Sequence, residues 1–135
     1  NWIPLYHTGA LMGALVTSLL AGMTLVLMSP ARWLVRPLSV FKALEKYRIE
    51  KTTLPNSGFV HALKYVEDRE VEKLDLSCLK SLLTAGEPAG ASIIEKFYDK
   101  FSRAGLKRNS FSNAYGQAEA TALISHTILV GRCNR

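Results

Sequence analysis

The chain has 135 residues, 48% hydrophobic and 21% charged, which is globular composition sufficient for the core of about one domain. Lys and Arg outnumber Asp and Glu by 17 to 11, but the basic residues are scattered from Arg32 to Arg135 among acidic ones, with no aromatic-interleaved cluster, so they read as solvated surface rather than a nucleic-acid footprint, and no nucleic-acid partner is expected. Cys78 and Cys133 form no CxxC pair and have no His at metal-ligand spacing, and read as reduced thiols of a cytoplasmic protein.

Residues 1–31 contain no Asp, Glu, Lys or Arg. NWIPLYH opens the chain as an apolar, strand-like run with no basic segment or fitting cleavage site before it, so no signal peptide is expected. Without an initiator Met, the chain reads as cut from something longer. Gly9 to Met28 is long and apolar enough for a membrane span. Gly22, however, divides it into a helix-like run, Ala10 to Ala21, and a compact TLVLM run, Thr24 to Met28, the pattern of a glycine-closed helix followed by a buried strand. The second reading is adopted because the rest of the chain continues the same alternation, and no stable membrane insertion is expected.

Pro30 and Pro37 suit the first turns of two short helices, Ala31 to Val35 and Leu38 to Tyr47. Leu38, Phe41, Leu44 and, at its end, Tyr47 fall on one face of the second. Lys51 to Leu54 is a short strand, and PNSGF turns the chain into a helix from about Gly58 to Glu67. EDREVEK, residues 67–73, reads as a solvated helix end and loop, and Asp75 and Ser77 as caps of a turn around LSCLK. Leu82 to Ala85 is a strand, GEP a turn, and Ser92 to Arg103 an amphipathic helix with Ile93, Phe97 and Phe101 at four-residue steps. Gly105 ends it, and a strand follows from Phe111 to Ala114.

Strands and helices alternating through short turns imply an α/β fold with a mostly parallel sheet covered on both faces. Ligands of such sheets bind at the carboxyl ends of the strands. Two loops there carry chemistry: AGEP, residues 85–88, and AYGQAE, residues 114–119. If they share one edge, Gly86 lets backbone approach one face of a planar base and Tyr115 lies on the other. Glu119 then falls where the phosphates of a nucleotide reach, a position suited to holding Mg2+. Taken singly, Tyr115 reads as a half-buried aromatic and Glu119 as a surface charge.

Taken in order, the motifs resemble those of the adenylate-forming superfamily of acyl-CoA synthetases, luciferases and related ligases. WIPLYH is similar to that family's apolar strand ending in histidine, LDLSCLKSLLTAGEP to its strand and Gly-turn segment, and NAYGQAEAT to its aromatic-Gly-x-x-Glu motif. The resemblance runs to about residue 124. LMSPARWLVRPLSVFKALEKYR followed by TTLPNSGF is closest to the fatty acyl-AMP ligases, as is Ala118 where acyl-CoA synthetases more often have Thr. The chain departs from those ligases in HTGALMG, where Thr8 replaces their Asp, and in PNS for their PNF.

The resemblance implies a layered α/β/α domain, of which residues 1–135 are one partial unit, and ATP-dependent activation of a medium- or long-chain fatty acid as its acyl-adenylate. A thiol of CoA or an acyl carrier protein is the implied acceptor. It further implies that Tyr115 stacks on adenine, that Ala85, Gly86, Glu87 and Pro88 border the base beside Ala114, and that Gly116, Gln117 and Ala118 approach the α-phosphate. Glu119 would ligate Mg2+, and His7 would line the meeting point of carboxylate and phosphate. No Gly/Ser/Thr-rich phosphate loop, Thr-Gly-Asp ribose motif or lysine-bearing C-terminal domain is found, so the chain alone is expected to be inactive. Two rival readings are a non-catalytic nucleotide-binding module and a membrane-anchored protein.

Overall fold

The computed structural model describes residues 1–88 and 90–128; Cys133 lies outside them. The N-terminal run is not a strand. Pro4 supplies no N–H for a ladder, and a turn closes instead where the His7 N–H donates to the Pro4 carbonyl at 3.0 Å. The Trp2 Nε1–H donates to the Thr53 carbonyl at 3.0 Å and ties this segment to the sheet.

Thr8–Ala10, Leu11–Val16 and Thr17–Leu20 run on as one helix, α1, whose middle stretch is π-helical. It stops before Gly22, which takes φ +63°. Among the described residues, no helix is long and apolar enough to cross a membrane. The strand expected at Thr24 to Met28 is absent, because an apolar run becomes a strand only where a neighbour offers a ladder. Here the available backbone is Asn1 alone: its ammonium donates to the Val26 carbonyl at 2.6 Å and its carbonyl accepts the Met28 N–H at 2.9 Å. Leu19, Leu20, Met23 and Leu27 are left exposed.

Helices α2, Pro30–Val35, and α3, Leu38–Lys46, begin at the two prolines as their fixed φ favours. Trp33 anchors α2 against Trp2, with ring centroids 5.2 Å apart. Val40, Phe41 and Leu44 of α3 are buried, whereas Tyr47, expected on the same face, lies beyond the last turn and is 54% exposed. Strand β1, Lys51–Thr53, leads to α4, Asn56–Tyr65, which starts two residues before Gly58 with Pro55 as its N-cap. The charged run after it is more than a solvated loop. Glu67 and Glu70 form a reciprocal capping box around α5, Asp68–Val71, and Val71 is fully buried.

Strand β2, Ser81–Thr84, is followed by α6, Ala91–Phe101, and a 3-10 turn that ends at Gly105 with φ +83°. Strand β3, Phe111–Tyr115, and β4, Ser125–Ile128, complete a sheet ordered β1-β2-β3-β4. The first three strands are parallel and β4 is antiparallel to β3. Register pairs Leu82 with Phe111, and from that face of the sheet Phe111 meets Phe59 of α4 and Phe97 of α6. Phe97 stacks on Phe101 with centroids 4.3 Å apart. Thr53, Ser81 and Leu83, on the opposite face, are half-buried.

The turn before β2 is built on Asp75. Its Oδ1 accepts the Ser77 N–H at 2.9 Å and its Oδ2 pairs with Arg48 at 2.6 Å. The Ser77 hydroxyl and N–H, followed by Arg48, lower its pKa from 3.8 to about 2. A carboxyl depressed by folding adds stability above its unfolded pKa and loses it as pH falls through the folded value. Acid unfolding of the full-length protein, followed by circular dichroism, is therefore expected to show Asp75→Asn less stable than the parent at neutral pH. The two curves should converge between about pH 4 and pH 2; a constant offset down to pH 2 would contradict this account.

Candidate functional site

Three loops leave the carboxyl ends of β1, β2 and β3. Because β2 and β3 are parallel neighbours with Thr84 opposite Asn113, AGEP and AYGQAE emerge side by side. The topology thus brings Ala85, Gly86, Glu87 and Pro88 to the same edge as Ala114 through Glu119. Ala85 is half-buried and Ala114 buried; Gly86, Glu87, Pro88, Gln117, Ala118 and Glu119 are exposed.

Tyr115 is not a half-buried aromatic. As the last residue of β3 its side chain is 62% exposed at the mouth of the three loops. Alternation along the strand puts Asn113 on the same side of the sheet, also exposed and paired in register with Thr84. The Thr84 hydroxyl is buried with no hydrogen-bond partner among the described residues. Asn113 was not singled out from the sequence, although the two-residue step from Asn113 to Tyr115 in SNAY is the signal that finds it.

The two loop glycines are required for different reasons. Gly86 takes φ +86°, and nothing lies within 4 Å of where a Cβ would stand, so backbone conformation selects glycine and leaves open space above it. At Gly116 close approach selects it: a Cβ there would stand 1.6 Å from the Ala122 carbonyl oxygen. The chain folds back over Gly116 through the 3-10 turn Ala118–Ala120, and the Ile124 N–H closes the hairpin on the Tyr115 carbonyl at 2.8 Å.

Glu87 has an intramolecular partner. Its Oε1 accepts the N–H of Ser57, in the first turn of α4, at 2.7 Å. That N–H, and next the Ser57 hydroxyl, hold its carboxyl below the usual range. Glu119, on the exposed 3-10 turn, joins no ion pair among the described residues. No group of three or more His, Cys, Asp or Glu there could hold a metal ion. One free carboxylate nonetheless fits Mg2+, which takes one or two carboxylates and completes its shell with phosphate oxygens and water.

His7 is not joined to either loop by a hydrogen bond. It caps α1, its Nδ1 accepting the Gly9 N–H at 3.1 Å, and the ring is exposed. A cleft of 1420 Å³ also lies apart from the loops, between α2, α3 and α4, with Arg32, Lys42, His61 and Tyr65 in its walls. Size alone would favour it. The carboxyl edge of the parallel strands is the better candidate, since it gathers the exposed ring, the free carboxylate and the two constrained glycines.

Residues 1–134 match the family model described as AMP-binding enzyme. A medium-chain-fatty-acid--[acyl-carrier-protein] ligase of Teredinibacter turnerae is 31% identical over 125 residues, 93% of this chain and 20% of the relative. A 4-hydroxyphenylalkanoate adenylyltransferase of Mycobacterium tuberculosis is 30% identical with the same coverage. Among solved structures, a fatty acyl-adenylate ligase from Legionella pneumophila in complex with acyl adenylate and pyrophosphate superposes with a TM-score of 0.91 at 31% identity, over 94% of this chain and 22% of that one. The chain therefore spans about one fifth of the length of the relatives it matches.

Proposed function

The chain belongs to the family of AMP-binding enzymes, and from that premise we propose that the protein carrying it activates a medium- or long-chain fatty acid as an acyl-adenylate and passes the acyl group to the thiol of CoA or of a carrier protein. The observation that carries this reading is the parallel pairing of β2 with β3, which sets AGEP beside AYGQAE with Tyr115 and Glu119 exposed. The L. pneumophila ligase of the same fold, which holds acyl adenylate and pyrophosphate, supports it.

In the reaction, a carboxylate oxygen bonds to the α-phosphorus of ATP while the bond from that phosphorus to the bridging oxygen breaks and pyrophosphate leaves. Tyr115 offers a stacking face for adenine, and the backbone of Ala85, Gly86, Glu87 and Pro88 borders its other side. Asn113 presents a carboxamide at the same edge. Gly116, Gln117 and Ala118 carry the chain past the α-phosphate, and Glu119 would hold Mg2+. Bound Mg2+ supplies neutralisation of phosphate charge. His7 has Nδ1 committed to Gly9, which leaves Nε2 as the ring nitrogen that would meet the incoming carboxylate. The work of these groups is positioning and electrostatics.

The acyl chain needs an apolar wall, and the proposal assigns it to the uncharged segment around α1, where Leu19 and Leu20 stand exposed. A cytoplasmic location is part of the same reading. Pyrophosphate release by the full-length protein, measured with acetate, octanoate, dodecanoate and an aromatic acid, tests the substrate class. Octanoate or dodecanoate is expected to give the highest kcat/KM. Preference for acetate or an amino acid would overturn the assignment, and ATP binding without pyrophosphate release would make the protein a non-catalytic nucleotide-binding module.

A further inference from the structure

The geometry points to Glu87 as a positioning residue that braces the nucleotide-facing loop against helix α4, an inference that rests on the nucleotide reading of this edge. Two hydrogen bonds cross between the first turn of α4 and the β2–α6 connection in opposite directions. The Ser57 N–H donates to Glu87 Oε1 at 2.7 Å, and the Gly90 N–H donates to Asn56 Oδ1 at 3.2 Å. Their partners lie 30 and 34 residues apart in sequence, so the pair acts as a clamp between helix and loop and not as part of either local turn.

The need for the clamp is visible on both sides. Helix α4 has ten residues and Pro55 as its N-cap, with no side chain of its own capping the first-turn N–H groups. A carboxylate from the neighbouring loop satisfies one of these donors at the positive end of the helix dipole. On the other side, the loop between Thr84 and α6 contains Gly86, which has open space around it. Without an anchor, that glycine leaves the strip facing Tyr115 free to choose among backbone conformations. Glu87 follows Gly86 directly and holds it, while Gly90 holds the far end of the loop. With the carboxylate occupied by Ser57, Glu87 acts on a bound base through the backbone beside it.

A preformed loop binds more tightly than one ordered by the ligand. In the full-length protein, Glu87→Ala is expected to raise KM for ATP about tenfold, the scale of one charge-assisted hydrogen bond. Changes in kcat and in KM for the fatty acid should stay within about threefold. Glu87→Gln keeps an acceptor and should remain within about threefold of the parent in all three constants. Asn56→Ala should give the Glu87→Ala signature more weakly. The double variant should be less impaired than the product of the two single effects, because the second change removes a clamp already opened.

Tyr115→Ala is assayed in parallel. If it leaves ATP binding unchanged, the nucleotide reading itself fails. If Tyr115→Ala raises KM for ATP and Glu87→Ala does not, only the brace is overturned. A Glu87→Ala protein with lower melting temperature and lower kcat but unchanged KM for ATP would reduce Glu87 to a fold-stabilising cap and likewise overturn it. So would multiplicative effects in the double variant.

Discussion

Glu119→Gln in the full-length protein is expected to lower acyl-adenylate formation by about 10²- to 10³-fold while changing ATP affinity by less than about tenfold. Glu119 stands exposed on a 3-10 turn and in no ion pair among the described residues, so its replacement leaves the fold as it is. Gln has the same shape but lacks the negative charge that holds a divalent cation. What is lost is the fixed placement of phosphate charge, which matters most when that charge is redistributed in the transition state. Tyr115→Ala should show the opposite balance. A stacking face acts on substrate and transition state alike, so KM for ATP should rise by more than kcat falls. Steady-state kinetics with pyrophosphate detection reads both constants, and silence of both variants would reduce SNAYGQAEAT to a turn.

Gly116→Ala is expected to disrupt the same site through the backbone. The new Cβ would overlap the Ala122 carbonyl oxygen at 1.6 Å, with the Ala122 carbonyl carbon at 2.7 Å and the Leu123 Cα at 3.0 Å. All three are backbone atoms, so no rotamer change relieves the clash. The hairpin must open where the Ile124 N–H meets the Tyr115 carbonyl, at a cost of about 3 kcal/mol, the upper end of ordinary overpacking. Hydrogen exchange should show lost protection at Ile124 and along the β3–β4 ladder, with the Phe97 core unaffected, and ATP binding should weaken together with the ladder. Gly86→Ala is the control. It meets no atom and suffers only its left-handed backbone, so about 1 kcal/mol of strain is expected, without loss of the ladder. Equal damage from both substitutions would contradict the distinction between them.

That AGEP and AYGQAE share one sheet edge was legible in the sequence, because each loop is a contiguous stretch that follows a strand. A strand ending in Tyr115 and a glycine turn after Thr84 are local patterns, and parallel α/β topology then brings them to one edge. Hidden from sequence was the use of each residue within the loops. Glu87 reads as part of a turn beside a base, yet its carboxylate answers an N–H supplied 30 residues earlier. Asn56 and Ser57 read as part of the PNSGF turn, and Ser57 as a departure from a family pattern, yet they anchor the neighbouring loop. His7 was expected to close an apolar strand and instead caps a helix.

By itself, the sequence determined the elements whose causes lie within a few residues. Pro30 and Pro37 start helices because their φ is preset, and Gly22 and Gly105 end helical segments because they accept positive φ. The spacing of Phe97 and Phe101 set the buried face of α6 before any partner was known. Tertiary structure alone decided whether Thr24 to Met28 became a strand, which backbone oxygen makes Gly116 obligatory, and what occupies the Glu87 carboxylate. Each of these turns on a backbone group meeting a partner from another segment of the chain. The hydrophobic pattern of a segment records which side faces the core, but its backbone groups are the same at every residue and take partners only where the fold brings another segment within reach.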